Sequence, residues 1–84
     1  MLDINFNFKS EKIPVTFEHE GKTYKGVLSW VPGAGGYTWY LMIGNSYRGT
    51  LNYIYDYKWA FYNQKDNMRH LADYFGDVVT AWYE

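Results

Sequence analysis

Residues 13–28 read IPVTFEHEGKTYKGVL, and the two halves of this stretch mirror each other about Glu20-Gly21. Ile13, Val15 and Phe17 alternate with Pro14, Thr16 and Glu18, which is the period of a strand with one face turned to a core. A tight loop of two or four residues at Glu20-Gly21 sets Phe17 opposite Tyr24 and Ile13 opposite Leu28, so both apolar sets share one side. A slip of one residue would turn every one of them to water, so the hairpin register is strongly specified. Pro14 has no N–H to give to a ladder and therefore marks an edge or a bulge.

The pattern extends in both directions. Upstream, Leu2, Ile4, Phe6 and Phe8 alternate with Asp3, Asn5, Asn7 and Lys9, which predicts a strand over about 2–9 paired with the strand at 13–19. Downstream, a strand over about 22–31 is stopped by PGAGG at 32–36, and the next, about 37–43, is apolar on both faces. Gly44-Asn45-Ser46 turns the chain into a strand over 46–54, with two registers open. A three-residue loop sets Ile43 opposite Tyr47 and Trp39 opposite Leu51, whereas a two-residue Gly-Asn turn pairs Met42 with Tyr47. The first is preferred because it gathers Thr38, Tyr40, Arg48, Thr50 and Asn52 on the outer face. A last strand at 58–62 carries Trp59 and Phe61 inward.

Met68, Leu71, Ala72, Phe75, Val78, Val79 and Trp82 recur at helical spacing and predict one long helix over about 64–83, with Asn63 as its cap. Gly76 falls off this stripe and weakens the helix by about 1 kcal/mol relative to alanine, a candidate break. The expected fold is therefore α+β: a single domain over 1–84, an antiparallel β-meander of five or six strands with one long C-terminal helix packed on its inner face.

Composition bounds the function. The 84 residues contain no cysteine, two histidines and 23% aromatic residues, with a formal net charge of −1. Disulfides, thiolate metal sites and cysteine nucleophiles are thereby removed, and packing or self-association must supply stability. The eight basic residues are dispersed, unlike the footprint of a duplex-binding protein. No apolar run reaches the roughly 18 residues of a membrane span, and the opening MLDINFNF lacks a signal-peptide layout, so a cytoplasmic address is expected.

Asp66, His70, Asp73 and Asp77 form a stripe at helical spacing, yet it lies opposite the apolar stripe, as a solvated face does, and no metal or cofactor is expected. Both histidines are expected to be exposed, no serine has an evident base, and no catalytic role is expected. The glycines of VPGAGGYT lack the lysine and hydroxyl of a phosphate loop.

What needs explaining is aromatic surplus, concentrated in YIYDYKWAFY at 53–62, where six of ten residues carry rings. Six strands make a sheet nearly 30 Å wide, and one helix covers only about 10–12 Å. The excess must be hidden by curling, by a second subunit or by a ligand. Tyr40, Arg48, Thr50, Asn52, Tyr57 and Tyr62 are the candidate contact residues, and the expected function is a small non-catalytic interaction module that forms a homodimer and shows a tyrosine-rich surface to a protein partner. The alternative is a single-stranded nucleic-acid or carbohydrate binder that stacks its ligand on the same rings. A strand meander followed by a helix resembles the element order of a family of dimeric single-stranded DNA binders, although no motif and no basic charge accompany it.

Overall fold

The structure, a computed structural model, describes residues 12–31, 37–56 and 58–83. It contains five antiparallel strands, β1 (Lys12–His19), β2 (Lys22–Trp30), β3 (Thr38–Ile43), β4 (Ser46–Tyr55) and β5 (Lys58–Tyr62), followed by a 3-10 turn (Arg69–Leu71) and the helix α1 (Ala72–Tyr83). The strands lie side by side in chain order, a meander. The strand expected at 2–9, the PGAGG loop and Tyr57 lie outside the described residues.

The first hairpin follows the register expected from its apolar alternation. Phe17 faces Tyr24 and Ile13 faces Leu28, closed by a two-residue turn in which Glu20 and Gly21 both take positive φ, the geometry that matches strand twist. Ile13, Val15 and Phe17 are buried while Lys12, Pro14, Thr16 and Glu18 are exposed. Phe17 and Tyr24 stack across the pair at 5.4 Å.

β3 and β4 use both registers that the sequence leaves open. Next to the Gly44-Asn45 turn, Ile43 faces Ser46 and Met42 faces Tyr47; further along, Tyr40 faces Thr50 and Trp39 faces Leu51. One extra residue in β4, at Arg48-Gly49, absorbs the difference as a bulge. Gly49 has φ +140, and a Cβ there would sit 2.6 Å from the Phe61 ring, so both backbone and packing demand glycine. The bulge returns β4 to the register that buries Leu51 beneath Trp39 and turns Tyr47 to the side of Tyr40.

The sheet curls. Phe75 of α1 makes edge-on contacts with Phe17 of β1 at 5.0 Å and with Phe61 of β5 at 5.7 Å. The two outermost described strands thus bring their rings to within about 11 Å, whereas the edges of a flat five-stranded sheet stand about 19 Å apart. Phe75, Val79, Leu28, Trp39, Leu41 and Leu51 are fully enclosed in the resulting core. Curling therefore hides much of the apolar width that a single helix leaves open.

The helix is shorter than its periodicity suggests. α1 begins at Ala72, not Gln64, because Asn63 and Asn67 adopt positive φ and the side chain of Gln64 takes the N–H of Asp66 and that of Met68, the latter being the donor a helix would have paired with the Gln64 carbonyl. Gly76 does not break α1. It is buried, and the Trp59 indole lies so close that a Cβ would be 2.2 Å from its Cδ1. Glycine at this position lets the ring lie on the helix backbone.

Both ends of the meander carry edges among the described strands, and they differ. On β1, Pro14 lacks a donor and the Tyr74 hydroxyl donates to the Thr16 carbonyl at 2.8 Å, so that edge is blunted. β5 is KWAFY, with neither proline nor glycine.

Candidate functional site: a tyrosine row and a polar latch

Three of the expected contact residues fall into one row. Tyr40, Thr50 and Tyr62 are direct neighbours on β3, β4 and β5, and Ser29 of β2 continues the row beyond Tyr40. Thr38, Asn52 and Ala60 form the next row on the same face, by the period of two. Tyr40 and Tyr62 are 40% and 48% exposed, enough ring to contact another molecule while the rest stays anchored.

Tyr47 joins this face and was not among the expected residues. Its ring meets Tyr40 edge-on at 5.2 Å, and its hydroxyl is hydrogen-bonded to Thr50 Oγ1. The bulge is the cause, since the register without it would turn Tyr47 the other way. The Met42–Tyr47 pairing implied by a two-residue Gly-Asn turn is the sequence signal that points to it.

Arg48 stands apart from the row. It lies in the bulge, and its Nη1 donates to Asp66 Oδ1 at 3.1 Å in the connector between β5 and α1. The half-buried pair borders a groove of about 330 Å³ lined by Tyr47, Arg48, Asn63, Lys65 and Asp66. Asn52 and Arg48 each keep one shielded polar atom, Oδ1 and Nε, without a hydrogen-bond partner among the described residues.

The connector is held by a latch that the sequence hides. Gln64 is buried; its amide oxygen accepts from the N–H groups of Asp66 and Met68, and its amide nitrogen donates to the Arg48 carbonyl. His19, at the end of β1, is only 7% exposed and donates from Nε2 to the Asp66 carbonyl at 2.7 Å. His70 lies against it with ring centroids 5.5 Å apart. The expectation that both histidines face water is thus corrected for His19, which shares the parity of Ile13, Val15 and Phe17. Asp66 is likewise drawn out of the expected helical stripe, and among the described residues no group of three or more acidic, histidine or cysteine side chains is arranged to hold a metal ion.

No helix among the described residues is long and apolar enough to cross a membrane. No protein-family model matches the chain, and neither a curated protein nor a solved structure shows significant similarity to it.

Proposed function

We propose that this chain is a non-catalytic, self-associating interaction module that offers the face around Tyr40, Tyr47, Thr50 and Tyr62 to a protein partner. The observation that carries this reading is the interlocking of Tyr47 with both Tyr40 and Thr50, which fixes two rings that are nevertheless 40% and 43% exposed. Rings held before binding lose little conformational freedom when a partner arrives, and tyrosine offers both apolar area and a hydroxyl at such contacts. The row itself carries no formal charge. A cytoplasmic address belongs to the same reading.

The polar groups that suggest chemistry are spent on structure. His19 and Gln64 secure the connector, and Asp66 engages the guanidinium that stacking on a nucleobase would use. Binding of single-stranded nucleic acid or a neutral sugar on the same rings is the competing reading.

Peptides selected from a random library against the folded chain test the proposal. The dominant binders are expected to lose about 2 kcal/mol, roughly thirtyfold in affinity, on Tyr40→Ala or Tyr62→Ala. Tyr55→Ala, which removes an exposed ring near the end of β4, is expected to leave them unchanged. Binders indifferent to all three substitutions, or saturable binding of a sugar or oligonucleotide abolished by Tyr40→Ala, would contradict it.

A further inference from the structure

We infer that β5 is the self-association element and that it pairs antiparallel with β5 of a second copy about a twofold axis at Ala60. The inference deepens the self-association in the reading above and rests on it. Of the two edges among the described strands, β1 carries Pro14 and the Tyr74 hydroxyl on the Thr16 carbonyl, whereas β5 has neither proline nor glycine.

The strand is complementary to itself in this register. Lys58, Ala60 and Tyr62 point to one face and Trp59 and Phe61 to the other, the latter two buried in the core. With Ala60 opposite its own copy, Lys58 of each strand faces Tyr62 of the other, and Trp59 faces Phe61. An exposed ammonium thus meets an exposed ring twice, a cation–π pair repeated by symmetry, while small Ala60 lets the strands approach at the axis. Two-fold pairing also closes. A head-to-tail contact of β5 on β1 would propagate into filaments.

The chain lacks cysteine, so a single Ala60→Cys substitution at this half-buried outward position gives a unique reporter. Treated with a short bifunctional thiol cross-linker, it is expected to form covalent dimer at least about tenfold faster than a Glu18→Cys control on β1, because pairing raises the local thiol concentration. Lys58→Glu is expected to weaken the dimer about tenfold by removing both cation–π contacts. A dimer by light scattering that neither cross-links at position 60 nor responds to Lys58→Glu would overturn the β5 assignment and leave self-association standing. A monomer would overturn both, and open-ended oligomers would overturn the closed pairing.

Discussion

Gly76→Ala is expected to lower the stability of the fold by about 2 kcal/mol, against the direction of helix propensity. An alanine inside an exposed helix would gain about 1 kcal/mol over glycine. Here the new methyl would lie 2.2 to 2.4 Å from three atoms of the Trp59 indole, a ring that is 8% exposed and in contact with Trp39 and Tyr53. Moving that ring disturbs the packing of β3, β4 and α1 together, and overpacking of this kind costs typically 1–3 kcal/mol and at times more. In chemical denaturation the midpoint should fall with little change in slope, and thermal unfolding should come roughly 10 °C earlier. The sign reverses if the ring is shortened: in a Trp59→Leu background, Gly76→Ala should be neutral or stabilising. A stabilised Gly76→Ala single variant would show that the indole does not rest on the helix.

Gln64→Ala is expected to cost about 3 kcal/mol, because it strips partners from three backbone groups at once. The N–H groups of Asp66 and Met68 and the carbonyl of Arg48 all depend on this one buried amide. Each group left without a partner costs about 1–3 kcal/mol, less where water can enter. Gln64→Met separates hydrogen bonding from packing. It preserves most of the volume, so near-native stability would mean that the amide only fills space, whereas a loss comparable to alanine is the expected result. Loss of the latch should also free Arg48 and His19, seen as faster hydrogen exchange at Asp66 and Met68 than at the centre of α1.

These two residues show where a sequence is legible and where it is not. The β1–β2 pairing could be read from alternation because a period of two leaves only one register that buries Ile13, Val15, Phe17 and Leu28 together. The β3–β4 pairing could not be settled that way. Gly44-Asn45 favours a two-residue turn, Trp39 and Leu51 favour being opposite each other, and only a bulge at Arg48-Gly49 satisfies both. Local turn chemistry and core packing each had half of the answer.

Periodicity overran at the start of the helix. Met68 is buried as a helical stripe requires, so spacing alone cannot distinguish a helix beginning at Gln64 from an irregular connector that delivers Met68 to the same core. What decides is a side chain competing with the backbone for its own hydrogen bonds, and such competition carries little sequence signature. Gly76 misled for a related reason. Propensity describes a helix in water, whereas the neighbour that matters, Trp59, is 17 residues away in sequence.

The candidate contact face was legible in part. Tyr40, Thr50 and Tyr62 follow from alternation and meet in one row, while Tyr47 needed the bulge and Arg48 was claimed by Asp66. His19 was recoverable, since it continues the buried parity of β1. A polar residue type concealed what its position indicated.

Curling of the sheet around Phe75 disposes of much apolar surface, yet Tyr40, Tyr47, Tyr62 and Trp82 remain 40–48% exposed. We propose that this remainder serves association. The mass of the purified chain in solution, measured by light scattering over a wide concentration range, tests it most directly. Twice the mass of the single chain, constant on dilution to low micromolar concentration, is the expected result. A single-chain mass maintained to the highest attainable concentration would contradict it.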